Sequence, residues 1–174
     1  MNSSHPSALS RRSKSIRAVS GQPGCLVGLA TRFGPYVLVV GGTLGDDSIV
    51  LSPAENSGID VTLNDVSLGV FQPTSRLVAY GQDGDDDIQV AGSIGRAAWL
   101  YGGDGHDRLK GGAGDDVLLG GDGEDFLAGG NGRDLLLGGT GADRILGNAG
   151  DDILIAGTTD FDAHETSLAL IMQE

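Results

Sequence analysis

Apolar residues return on a nine-residue clock through the second half of this 174-residue chain. Between Gly102 and Ile155 they fall at Leu109, Leu118, Leu127, Leu136, Ile145 and Leu154. Each is the eighth position of a nonapeptide, and the six units run without a gap: GGDGHDRLK, GGAGDDVLL, GGDGEDFLA, GGNGRDLLL, GGTGADRIL and GNAGDDILI. The pattern predicts a six-residue turn followed by a three-residue strand. In that strand position 8 faces inward, and positions 7 and 9 face out. One such strand cannot bury its apolar side chain alone. Stacked copies bury a continuous row, so the units make sense only as an array.

Upstream the pattern is β-like but less regular. YVLVV (Tyr36–Val40) reads as a short apolar strand, and RLVAY (Arg76–Tyr80) as another. GIDVTLNDVSLGVF (Gly58–Phe71) alternates Ile59, Val61 and Leu63 with polar residues, then passes through Asn64-Asp65 into a second run, which predicts a hairpin. Two segments keep the nonapeptide phase, GTLGDDSIV (Gly42–Val50) and GQDGDDDIQ (Gly81–Gln89). A third, GSIGRAAWL (Gly92–Leu100), keeps the glycines but has Ala97 where the aspartate belongs, so it should continue the scaffold without the carboxylate of the other units. The chain thus divides into a leader (1–35), a β-rich region with degenerate repeats (36–101), the regular array (102–155) and a tail (156–174).

Charge separates the leader from the rest. Residues 1–33 hold five basic residues and no acid, while all 24 acidic residues lie further on; the whole chain carries -13. An acidic body disfavours a nucleic-acid partner, since phosphate binding takes basic residues. It suits cations. The leader lacks periodicity and is expected to be disordered. Its basic stretch before Cys25–Ala30 loosely resembles a secretory signal, but the apolar core is short and contains Gly28. Cys25 is the single cysteine, so no internal disulfide forms, and no apolar run approaches the length of a membrane span.

The candidate chemistry lies in the turns. Every unit of the array has glycine at positions 1 and 4 and aspartate at position 6; five of six have glycine at position 2, the last having Asn148. Glycine permits tight turns and close backbone approach. Turns of this composition can aim several carbonyls at one point beside a carboxylate. An all-oxygen site of flexible geometry suits Ca²⁺. Zn²⁺ prefers Cys and His, and His5, His106 and His164 fall at unrelated phases.

These units resemble the haemolysin-type calcium-binding repeat, the RTX nonapeptide G-G-x-G-x-D-x-U-x. The resemblance is strong over 102–155 and weaker at 42–50 and 81–89. It implies an all-β fold, a right-handed parallel β-roll with two nonapeptides per coil and Ca²⁺ between turns stacked on the same side. Carried onto this chain, the position-6 ligands are Asp107, Asp116, Asp125, Asp134, Asp143 and Asp152, with Asp47 and Asp86 matching in the earlier segments. Position 3 is expected to add Asp104, Asp122 or Asn131, and glycine carbonyls to complete the shell. About four complete sites are expected, with partial ones at the ends.

The phase also makes the two outer faces unequal. Units 2, 4 and 6 present Val117, Leu119, Leu135, Leu137, Ile153 and Ile155, all apolar. Such a face is expected to be covered by the upstream β-region, by the tail, or by a second chain through self-association. In the tail, Asp162 and Glu165 have capping-box spacing, and Leu168, Ile171 and Met172 share a helical face, which predicts a short helix over the last coil. An uncleaved export signal of the kind such cargo carries is the other reading of that tail. No G-x-S-x-G or H-E-x-x-H motif is present, and His106 is expected to be a solvated turn residue rather than a catalyst. The expectation is a non-enzymatic Ca²⁺-binding module of a secreted or cell-surface bacterial protein that folds on binding the ion. The rivals are an adhesive spacer that docks a partner by its apolar face, and the remnant of a larger toxin or hydrolase.

Overall fold

The computed structural model describes residues 15–18, 26–30, 36–159, 162 and 164–172. It is a parallel β-solenoid with one short helix against its side. The strands are β1 (Ser15–Ala18), β2 (Leu26–Ala30), β3 (Val37–Gly41), β4 (Ser48–Pro53), β5 (Ile59–Leu63), β6 (Val66–Phe71), β7 (Leu77–Asp83), β8 (Asp87–Val90), β9 (Ala98–Asp104), β10 (Arg108–Lys110), β11 (Val117–Asp122), β12 (Phe126–Asn131), β13 (Leu135–Thr140), β14 (Arg144–Ala149) and β15 (Ile153–Ile155). They form two sheets, ordered β1-β2-β3-β7-β9-β11-β13-β15 and β14-β12-β10-β8-β4-β5-β6. Within the array the register is eighteen residues, as in Val117↔Leu135 and Phe126↔Arg144. Two nonapeptides therefore make one coil, and odd and even units occupy opposite sheets.

Position 8 points between the sheets, as expected. Leu100, Leu109, Leu118, Leu127 and Leu136 are fully buried in one core cluster that continues into Leu38, Leu77, Ile49 and Ile88 upstream. Strands β3, β4, β7 and β8 thus extend the same two sheets in parallel. The predicted hairpin forms: β5 and β6 pair antiparallel, and Asn64 and Asp65 make the turn with φ of 48° and 63°. These are positive-φ positions that asparagine and aspartate tolerate better than other side chains.

Four expectations need correction. Parts of the leader expected to be disordered, Ser15–Ala18 and Leu26–Ala30, are strands that pair antiparallel and add to the edge of β3; an unpaired strand edge offers a row of backbone donors and acceptors that a short segment can satisfy without a periodic sequence. The rest of the leader lies outside the described residues. The unit placed at Gly92–Leu100 is in phase one residue later: Trp99 pairs with Val117 and Leu100 with Leu118, so Ala98 rather than Ala97 occupies position 6. The helix α1 (Glu165–Ile171) does not cover the last coil. It packs against the outer face of the first sheet, with Leu168 buried among Val78, Trp99, Val117, Leu135 and Leu137. That row of apolar groups runs along several coils and offers more contact than the end of one. Finally, the residue at the N-cap of α1 is His164, not Asp162, whose carboxylate accepts hydrogen bonds from the Thr159 amide and hydroxyl instead.

Candidate metal centre

The turns between the sheets carry two aspartate ladders. On one side of the solenoid stand Asp47, Asp86, Asp107, Asp125 and Asp143; on the other, Asp116, Asp134 and Asp152. Beyond Asp47, each Oδ1 accepts a hydrogen bond from the amide of the position-6 residue one coil earlier. Asp86 takes it from Asp47 (2.8 Å), Asp107 from Asp86 (2.9 Å), Asp125 from Asp107 (2.8 Å) and Asp143 from Asp125 (3.0 Å). Across the roll Asp116 accepts from Ala98 (2.6 Å), Asp134 from Asp116 (2.8 Å) and Asp152 from Asp134 (3.0 Å).

The second carboxylate oxygen is the telling atom. Oδ2 of Asp86, Asp107, Asp125, Asp134 and Asp143 is buried and has no hydrogen-bond partner. Buried charge without a partner is costly. Each Oδ2 is aimed at the position-1 glycine of its own turn. A Cβ on Gly42 would lie 2.6 Å from Asp47 Oδ2 and 2.7 Å from the Gly81 carbonyl oxygen. At Gly81, Gly102, Gly111 and Gly120 a Cβ would likewise collide with the aspartate Oδ2 and with a glycine carbonyl of the next coil. Glycine at position 1 therefore keeps open a cradle walled by a carboxylate and a main-chain carbonyl. At positions 2 and 4 it serves conformation: Gly121 and Gly123 have φ of 122° and 139°, and Asn148, where position 2 departs from glycine, has φ of 76°.

Electrostatics point the same way. Asp116 is pushed up to about 8, Asp86 to about 7, and Asp107 and Asp134 to about 6; Asp125 is also raised. Burial is the largest cause in each, opposed by the amide hydrogen bond and reinforced by neighbouring carboxylates. An all-oxygen donor set with orphaned carboxylate oxygens fits a hard divalent cation. Among the described residues no three His, Cys, Asp or Glu side chains converge into a cage. A cation here would draw on main-chain carbonyls as well as on the ladder.

The position-3 residues stand apart from the buried ladders. Asp104, Asp122 and Asn131 are exposed on the rim of the turns, although Asp122 is close enough to add to the repulsion on Asp125. Position 5 carries a ladder that the sequence reading missed. The Asp85 amide donates to Asp46, the His106 amide to Asp85, and the Arg133 amide to Asp115. His106, expected to be merely solvated, accepts the Glu124 amide on Nδ1 at 2.8 Å. The run of acceptors at position 5, Asp46, Asp85, His106 and Asp115, was the available signal. Also missed was Asn64, whose amide group donates to Asp47 Oδ1 (2.6 Å) and accepts the Ser48 amide (2.8 Å), closing the first ladder at its upstream end.

Fold and site together define a β-solenoid whose turns are acidic and glycine-lined. Residues 101–136 and 128–160 match the family model of the RTX calcium-binding nonapeptide repeat, in four copies. The matched stretch, 101–160, is about a third of the chain and is similar to that calcium-binding repeat. No curated protein and no solved structure gave a match. No described helix is long and apolar enough to cross a membrane.

Proposed function

We propose that this chain is a calcium-triggered β-roll, held as an open chain until Ca²⁺ enters the two ladders. The observation that carries the reading is the set of five buried Oδ2 atoms without partners, each facing a glycine-lined cradle. Asp47, Asp86, Asp107, Asp116, Asp125, Asp134, Asp143 and Asp152 are the proposed ligands, with glycine carbonyls beside them. Asp104, Asp122 and Asn131 act, if at all, from the rim. Without a cation, stacked carboxylates repel and a glycine-rich backbone retains high conformational entropy, so the roll is disfavoured. A cation between coils removes both obstacles at once, and its binding energy becomes folding energy. Extracellular modules bind at roughly 10⁻⁴–10⁻³ M, a range suited to a secreted or surface protein that stays unfolded in a low-calcium cytosol.

Far-UV circular dichroism during a Ca²⁺ titration, with Mg²⁺ as control, tests this. A steep coil-to-β transition with Ca²⁺ alone is expected. A spectrum already rich in β-structure in EGTA and unmoved by Ca²⁺ would overturn the folding switch and leave a preformed scaffold. The adhesive reading has less room than the sequence allowed, because Leu168 and its neighbours on α1 occupy the apolar face.

A further inference from the structure

The two halves of the roll hold their cores by different means. Of the buried residues in the main core cluster, the array supplies only Leu109, Leu118, Leu127 and Leu136; the others all lie upstream of residue 102. Each nonapeptide sends one side chain inward, at position 8. Upstream strands bury two, as with Ile49 and Leu51 in β4 and Ile88 and Val90 in β8. The register shows what the second residue replaces. Leu77 pairs with Ala98, and the Ala98 amide donates to Asp116 Oδ1 just as the Asp116 amide donates to Asp134. Leu77 and Ala98 therefore stand in the column that becomes an aspartate ladder from Asp116 onward. Val90 pairs with Leu51 and follows Gln89, which pairs with Lys110, so it is level with the cradle glycine Gly111. On this side of the upstream half, apolar side chains fill the carboxylate's place and the cradle alike.

The other side is closed with polar groups. Asp47 Oδ2 accepts the Thr43 amide and, at 2.9 Å, the Thr43 hydroxyl, while Oδ1 accepts the Asn64 side chain at 2.6 Å. The Gln82 side-chain amide donates to the Gly42 carbonyl. Protein donors thus surround Asp47 where the array leaves orphaned oxygens. Among the described residues of 36–101, Asp86 alone keeps a buried carboxylate oxygen without a partner, and its cradle opens on the Gly102 carbonyl, at the junction with the array. The backbone differs too. Glycine supplies 17 residues of the array and nine of the longer region before it, so ordering the array costs more conformational entropy.

We propose that residues 36–101 form a frame that folds without calcium and is the template on which Ca²⁺ adds the array, coil by coil, from its upstream end. The frame has a hairpin of local contacts and a doubled apolar core, and chains of roughly 55–65 residues do fold alone. The array has one buried side chain per unit and stacked carboxylates that repel. In a solenoid each coil touches only its neighbours, so growth is favoured where a folded neighbour already stands. Here that neighbour is the pair β8 and β9, onto which β10 and β11 dock. The calcium switch proposed above then acts on the array. That the array needs calcium rests on that reading; the frame does not.

Hydrogen–deuterium exchange of the full-length chain, read peptide by peptide in EGTA and in Ca²⁺, decides this. In EGTA the amides of β4, β5 and β8 should be protected while those of β11 to β14 exchange at the coil rate; in Ca²⁺ both sets should be protected. Val61→Asp, which puts a charge into the frame's core, should strip protection from the frame in EGTA and from the array in Ca²⁺. Asp134→Asn should leave frame protection in EGTA unchanged. A chain unprotected throughout in EGTA that gains protection everywhere at one Ca²⁺ concentration overturns the frame and keeps the calcium reading. A frame protected in EGTA beside an array still unprotected in Ca²⁺ keeps the frame and overturns the calcium reading. An array protected in EGTA, or one that folds in Ca²⁺ on the unfolded frame of Val61→Asp, overturns the template.

Discussion

The turns of the two aspartate ladders are built from one nonapeptide yet are not all alike. Asp86, Asp107, Asp125 and Asp143 in the longer ladder and Asp134 in the shorter one leave Oδ2 without a partner. The first aspartate of each ladder differs: the Asp47 Oδ2 accepts the Thr43 amide, and Asp116 is wholly buried, its Oδ2 accepting the Gly112 amide at 2.8 Å. Gly112 and Gly114 also lack the positive φ seen at positions 2 and 4 of every other unit in the array. The difference comes from the coil beneath. Most units rest on a nonapeptide with an aspartate, but Asp116 rests on Ala98, in a segment displaced by one residue. With no carboxylate below, the turn folds inward and satisfies Asp116 from its own backbone. A motif's geometry here depends on its neighbour as much as on its own residues.

The strongest way to break the array is to fill a cradle. Gly120→Ala would push a Cβ into Asp125 Oδ2 and the Gly138 carbonyl oxygen. Overpacking of this kind costs about 1–3 kcal/mol or more, and here it also fills the place proposed for the cation. The Ca²⁺-induced dichroism transition should be lost or moved more than about tenfold upward in concentration. Next comes the shared core: Leu127→Ala should lower the stability of the calcium-loaded form by about 2–5 kcal/mol in denaturant titrations.

Comparing Asp125→Asn with Asp116→Asn sharpens the contrast between an inner aspartate and one that opens a ladder. Asp125 sits between two carboxylate neighbours and has a free Oδ2, so its loss should weaken calcium binding about tenfold, about 1.4 kcal/mol by calorimetry. Asp116 spends its Oδ2 on Gly112, so its amide variant should bind calcium more nearly like the parent. Equal losses at both positions would show that the hydrogen bond does not distinguish the two turns.

Acid should act on the cation-free chain. The folded aspartates hold protons more tightly than the ordinary value of 3.8, with Asp107 and Asp134 near 6, Asp86 near 7 and Asp116 near 8. A raised folded value means stability that is full below about pH 4 and lost as pH climbs through 6 to 8. In metal-stripped buffer the chain should show more β-structure at pH 5.5 than at pH 8, and Ca²⁺ should erase that difference. The smallest effect belongs to the exposed ion pair that ties α1 to the sheet, Arg76 to Glu165 at 2.9 Å. Glu165→Ala should cost only about 0.2–1 kcal/mol in the same denaturant titrations.

Much was legible before any coordinates. The nine-residue recurrence of Leu109, Leu118 and Leu127 dictated stacked short strands, and the fixed Gly and Asp positions located the turns and the carboxylates, because periodic patterns encode contacts between copies of one unit. The hairpin was readable for the same reason: alternation around Asn64-Asp65 is a local signal. Only the tertiary structure decided what depends on a neighbour from elsewhere in the chain. It set the phase slip that places Ala98 beneath Asp116, and the role of His106 as an acceptor for the next coil. It laid α1 along the side of the roll, burying Leu168 against rows of apolar residues drawn from several coils. Those contacts join segments of unrelated sequence, so no recurrence in the chain announces them, and packing alone selects them.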